Sequence, residues 1–119
     1  MSVKFWIKEG QMQPPVAVLR IGGWLGVNQA KELLSQCASL RYKGYLHLIL
    51  NMSEVTFIAS SGIGALVVLS GEMKIKGGST NLVSVSQPVM RVIELLNLGK
   101  FVTIEKSEEK ALAKLEVKQ

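Results

Sequence analysis

Along the chain, short runs of β-branched and aromatic residues alternate with segments whose apolar positions recur every three to four residues, so strands and helices are expected to follow one another. Val3 to Ile7 and Val16 to Ile21 are the first two strand-like runs. Pro14-Pro15 lies between them, which predicts an antiparallel pair closed by a Gly10–Pro15 loop. Gly22-Gly23 is expected to end the second strand.

From Asn28 to about Tyr42 the residues Ala30, Leu33, Leu34, Cys37 and Leu40 keep helical spacing, with Asn28 as the expected cap and Gly44 as the stop. Tyr45 to Leu50 is a compact apolar strand, and Asn51 to Ile58 reads as a connection to a helix beginning near Ser60. In that helix Ile63, Leu66, Val67 and Ser70 make one stripe, while Ala65, Val68 and Leu69 fill the neighbouring face. Such a helix is either buried on both sides or lends one side to a partner. Gly62 and Gly64 near its start each weaken helix propensity by roughly 1 kcal/mol, which implies a need for close backbone approach.

Lys76-Gly77-Gly78 closes this helix and Thr80 to Val85 makes the next strand. Ser86 is the expected cap of a third helix, with Pro88 in its first turn, Val89, Val92, Ile93 and Leu96 as its stripe, and Asn97 as a left-handed stop. Phe101 to Ile104 is a last strand, and Ser107-Glu108-Glu109 opens a final helix with two acids at its positive end and Ala111, Leu112 and Leu115 inward. The order ββαβαβαβα requires crossover connections. It predicts an α/β fold with a mixed, mostly parallel sheet of about five strands and about four helices, the first hairpin adding an antiparallel edge.

Composition narrows the chemistry. The 119 residues suit a single domain over 1–119, and 48% hydrophobic against 19% charged residues describes a globular chain. All nine acids are glutamates. Without aspartate no Ser-His-Asp triad, aspartyl dyad or Asp-based magnesium site can be assembled, and the lone His47 and lone Cys37 cannot supply a conventional zinc set. Cys37 lies on an inward helix face, so it reads as a buried small hydrophobe, and His47 is read the same way. One cysteine offers no internal disulfide and suits a reducing cytosol. Apolar runs such as Ile63 to Leu69 are far shorter than the roughly 20 residues that span a bilayer, and the chain's start lacks a signal-peptide core, so a cytoplasmic protein is expected.

The net charge of +5 arises in the first half, where residues 1–50 hold six Lys/Arg against two Glu, while 51–119 hold eight against seven. Lys4, Arg20, Lys31 and Arg41 are scattered over several elements, which describes a solvated surface. Nucleic-acid binding is not expected.

The stretch Thr56-Phe57-Ile58-Ala59-Ser60-Ser61-Gly62-Ile63-Gly64 places two hydroxyls at a helix start. Free amide donors and the positive dipole end there would stabilise phosphate carried by Ser60 or Ser61; the simpler reading is a plain serine cap. It is not a Walker loop, since no lysine follows until Lys74. As a nucleophile Ser60 would need a base that neither His47 nor any aspartate offers, so no catalytic residues are assigned.

At these residues the chain resembles the STAS domains, the family of bacterial anti-sigma factor antagonists. Leu48 to Leu66 is similar to the family's leucine-rich strand, Asp-Leu-Ser, Val-x-Phe-Ile/Met and Asp-Ser-Ser-Gly-Leu-Gly. Gly23-Trp24-Leu25, Gly77-Gly78, Ser86-x-Pro-Val-x-Arg-Val and Ser107-Glu108-Glu109 before Ala111-Leu112 extend the likeness over nearly the whole chain. The resemblance implies a STAS-like fold and a non-enzymatic binding switch that needs no cofactor. Its partners would be an anti-sigma factor that is also a GHKL-type serine kinase, and a PP2C-type phosphatase. Carried over, the phosphoacceptor is Ser60, with Ser61 the second candidate, and Gly26, Ala59, Ser60, Ser61, Gly62 and Ile63 form the contact. Gly26, Asn51 and Ala59 stand where the family carries aspartate. Those departures motivate a second reading: a constitutive STAS adaptor or scaffold, for example of a transporter or signalling assembly, left unphosphorylated because aspartate is replaced by Ala59.

Overall fold

A computed structural model describes the backbone of residues 3–6 and 16–117 and the side chains of 16–115. The elements are β1 (Val3–Trp6), β2 (Val16–Leu25), α1 (Val27–Tyr42), β3 (His47–Ile58), α2 (Ser60–Ile75), β4 (Ser79–Val83), α3 (Gln87–Leu95), a 3-10 turn (Leu98–Lys100), β5 (Thr103–Glu105) and α4 (Glu108–Val117). This is the ββαβαβαβα order read from the sequence. The five strands form one sheet in sequential order, with β1 antiparallel to β2 and every later pair parallel. The expected Gly10–Pro15 loop lies outside the described residues.

Because β2 to β5 advance one place at a time in the same direction, right-handed crossovers must put α1, α2 and α3 on one face. The main core forms there, where Leu19, Ile21 and Leu50 of the sheet meet Leu33 and Cys37 of α1, Leu66, Leu69 and Met73 of α2, and Val89 and Ile93 of α3. The other face is covered by α4, whose Ala111 and Leu115 pack on Val16, Val18, Ile49 and Val83. Alternation along β2 splits its residues between the two cores, as period-two side chains require. Cys37 is fully buried as expected, and burial pushes its thiol up to about 12.

Several boundaries differ from the sequence reading, among them the end of β4, which stops at Val83 rather than Val85. Gly22-Gly23 does not end β2; the strand continues to Leu25 across register shifts, and Gly23 takes φ 78°. A glycine absorbs the bulge that a side chain at that φ would resist. β3 likewise does not stop at Leu50. It runs on to Ile58 beside the extended β2, burying Met52, Val55 and Ile58 while Ser53, Glu54, Thr56 and Phe57 face outward. Asn28 is not the cap of α1. The cap is Gly26, whose N–H donates to the Gln29 side chain at 3.2 Å. The last strand starts at Thr103 because Leu98–Lys100 first close a 3-10 turn after Asn97, which is left-handed at φ 57°.

The candidate docking surface at the start of α2

The extended ends of β2 and β3 bring two helix starts together. Trp24 pairs with Phe57 and Leu25 with Ile58, and the Ala59 N–H donates to the Leu25 carbonyl at 3.0 Å. From there α1 begins with the Ala30 N–H on the Gly26 carbonyl at 2.8 Å, and α2 with the Ile63 N–H on the Ala59 carbonyl at 3.0 Å. The candidate residues are thus gathered at the carboxyl ends of neighbouring parallel strands, where open α/β sheets place their sites. Neither helix has an acidic residue in its first turn or a side-chain cap from its N-cap residue. Ser60 is therefore not the cap that the simpler reading expected; Ala59 is, and Ser60 is the first helical residue.

The two serines have opposite environments. Ser60 is exposed, whereas the Ser61 Oγ is buried with no hydrogen-bond partner among the described residues. Gly26, Ala59 and Ile63 are half-buried. Gly62 is buried, so it positions α2 rather than facing a partner. The expected close approach holds at Gly62, where a Cβ would stand 2.5 Å from the Leu25 carbonyl oxygen, and fails at Gly64, which has open space around it. The choice left open for α2 resolves to one buried and one outward side: Ala65, Leu66, Leu69 and Met73 face the core, while Val68 and Ile75 are exposed.

Sequence reasoning missed the apolar residues at the rim. Trp24 is 66% exposed, Phe57 50% and Val27 58%. The Trp24 and Phe57 rings lie 5.3 Å apart at 49°, a tilted aromatic pair. The signal was present in Trp24-Leu25 and Phe57-Ile58: once both strands extend, each aromatic alternates with a core residue and must point the other way.

Asn51 acquires a local reason. Its Nδ2 donates to Glu108 Oε2 at 2.6 Å and its Oδ1 accepts the Ser53 N–H at 3.0 Å, while Arg20 grips the same Glu108 with Nε and Nη2 at 3.1 and 3.2 Å. The carboxylate in turn raises the Arg20 guanidinium above its ordinary value. An aspartate at position 51 would set two carboxylates against each other. Asn51→Asp is expected to lower stability by about 1.5–3 kcal/mol at neutral pH, the scale of a lost hydrogen bond to a charged group. Contact between the carboxylates raises their pKa in the folded state only, so the deficit shrinks as pH falls through the carboxylate range. Urea titrations of both chains at pH 7 and pH 4 check this.

Ala59 has no such constraint. Its φ −86° and ψ 169° are ordinary cap angles, and the first turn of α2 leaves amide donors that an aspartate could accept. Ala59→Asp is expected to stabilise the protein by about 0.5–2 kcal/mol, read as a raised urea midpoint.

No group of three or more His, Cys or Glu able to hold a metal occurs among the described residues. His47 starts β3, at the opposite end from Ser60, where its Nδ1 lies 2.6 Å from Ser79 Oγ. No described helix is long and apolar enough to cross a membrane.

This fold defines a small α/β domain whose candidate contact residues gather at the start of α2. The chain belongs to the STAS domain family, whose model matches residues 8–111. It is 27% identical over 103 residues to the anti-sigma F factor antagonist of Paenibacillus polymyxa, covering 86% of this chain and 88% of that protein. Among solved structures, a Thermotoga maritima protein assigned as an anti-sigma factor antagonist superposes with TM-score 0.82 at 27% identity, with 93% of each chain covered. The anti-sigma factor antagonist SpoIIAA in its unphosphorylated form gives TM-score 0.76 at 21% identity over 93% of this chain and 95% of that one. A sulfate transporter family protein from Wolinella succinogenes shares the fold, with TM-score 0.77 at 19% identity over 91% and 90% of the two chains.

Proposed function

We propose that this chain is a non-enzymatic partner-switching regulator that docks on an anti-sigma factor of the serine-kinase type through the start of α2, and that phosphorylation of Ser60 releases it. The observation that carries the reading is the exposed Ser60 hydroxyl at the first residue of α2, at the same end of the sheet as the exposed Trp24–Phe57 pair. The aromatic pair offers the apolar anchor that protein interfaces concentrate. A phosphate on Ser60 would add roughly −1.5 to −2 charges there, and the unacidic first turns of α1 and α2 would tolerate it without unfolding. A docked partner would face repulsion and desolvation, so the switch acts on the complex and not on the fold. A PP2C-type phosphatase would reset it.

Of the three missing aspartates, Asn51 is accounted for by Glu108, and Ala59 retains cap geometry, so neither removes the acceptor hydroxyl. The domain is read as cytoplasmic, where such a kinase would act. The adaptor reading is supported by the shared fold of the sulfate transporter family protein. Titration calorimetry against the anti-sigma kinase encoded by the same genome tests the proposal. One-to-one binding that Ser60→Glu weakens by about tenfold or more supports it. Absence of binding, together with capture of a transporter subunit, would favour the adaptor.

A further inference from the structure

Away from the Ser60 face, a cleft of about 170 Å³ opens between the C-terminal half of α2, the 3-10 turn and the amino ends of β4 and β5. Lys74 of α2 and Lys100 of the 3-10 turn both line it, with the residues Ser70, Thr80 and Thr103, and no carboxylate belongs to the lining. Among the described residues neither lysine stands within ion-pairing distance of an acid; the pairs formed are Arg20–Glu108, Arg41–Glu72 and Lys114–Glu105. Two cationic residues lining one concavity concentrate positive potential there.

The second observation is Thr80. It is 3% exposed, yet its Oγ1 has no hydrogen-bond partner among the described residues. Alternation places it on the same side of β4 as Leu82, which belongs to the core beneath α2. Buried hydroxyls in native proteins are satisfied in the large majority of cases, and valine would fill nearly the same space without the polar atom. The retained hydroxyl therefore points to an acceptor from outside the chain. The walls are fixed: Ser70 Oγ donates to the Phe101 carbonyl, tying α2 to the 3-10 turn. The negative end of α2 is blunted beside the cleft, because the Met73 and Lys74 carbonyls accept from the N–H groups of Lys76, Gly77 and Gly78.

We propose that this cleft binds a phosphate-like oxyanion, either inorganic phosphate or a phosphomonoester, with Lys74 and Lys100 neutralising its charge and Thr80 donating a hydrogen bond. Lysine as a point charge together with a hydroxyl donor is a common way of holding such an anion. The site is separate from Ser60 and does not depend on the switch.

The test is a titration of the full-length chain with inorganic phosphate at constant ionic strength, followed through its backbone amide NMR signals. Saturable shifts are expected at Thr80, Gly99, Lys100 and Thr103. Thr80→Val and Lys100→Gln should each weaken binding by about tenfold, while Lys31→Gln on α1 leaves it unchanged. Thermal melts of each variant report whether the fold is kept, and Lys100→Gln, altering an exposed side chain, keeps the test decisive if Thr80→Val misfolds. Tighter binding of glycerol 3-phosphate than of inorganic phosphate would identify a phosphomonoester as the source, and equal binding a free anion. Shifts that never saturate and spread over all the lysines, or wild-type affinity in Lys100→Gln or in a folded Thr80→Val, would overturn the proposal.

Discussion

Gly62→Val is expected to lower the free energy of unfolding by about 3 kcal/mol, a large fraction of the 5–15 kcal/mol that holds an ordinary domain together. The first side-chain carbon would stand 2.5 Å from the Leu25 carbonyl oxygen, 2.9 Å from Leu25 Cγ and 3.0 Å from Ile58 Cγ1. A flexible side chain can give way, but the Leu25 carbonyl also accepts the Ala59 N–H and so fixes the junction. The start of α2 would have to lift away from the ends of β2 and β3. Gly64→Ala is the internal control. Nothing lies within 4 Å of a Cβ at that position, so removing glycine from the helix should stabilise by about 0.5–1 kcal/mol. Paired urea titrations should move the two midpoints in opposite directions; movement in the same direction would contradict the packing described for α2.

Trp24→Ala is expected to cost about 2 kcal/mol of binding free energy to the proposed anti-sigma factor, roughly thirtyfold in affinity, with little loss of stability. Large aromatic side chains at the centre of an interface are the usual anchors of binding energy. Trp24 is 66% exposed in the free chain, so truncating it removes little buried area from the fold. Its neighbour Phe57 should behave alike, and the double variant should lose less than the sum because the rings touch. Calorimetry of the three variants checks this. Unchanged affinity in all three would move the docking surface elsewhere.

How much of this was legible in the sequence depends on how far local pattern decided the outcome. The apolar faces of α1, α3 and α4 were readable because Ala30, Leu33 and Cys37, Val89 and Ile93, and Ala111 and Leu115 repeat at helical spacing and are buried as read. The ends of β2 and β3 were not. Gly22-Gly23 and Asn51 to Glu54 carry turn-like residues, and they become strand only because each segment supplies the other's backbone partners. That non-local pairing creates the aromatic rim, which is why Trp24 and Phe57 escaped notice while Ser60, placed by a local helix start, did not. The glycines show the same limit. Gly62 and Gly64 look alike in sequence, and only the tertiary position of Leu25 separates them. Asn51 stands where the family carries a carboxylate, and its partner Glu108 lies 57 positions away.

Ser60 is the proposed switch at the docking surface. Its most direct test is incubation of the chain with the serine-kinase anti-sigma factor of the same genome and ATP, followed by intact mass, site mapping and a binding measurement on the modified protein. A single phosphate is expected, on the exposed Ser60 and not on Ser61, whose Oγ is buried, absent from Ser60→Ala, with affinity for the kinase reduced by about tenfold or more. A chain that binds the kinase yet takes up no phosphate at Ser60, or whose Ser60-phosphorylated form binds as tightly as before, would contradict it.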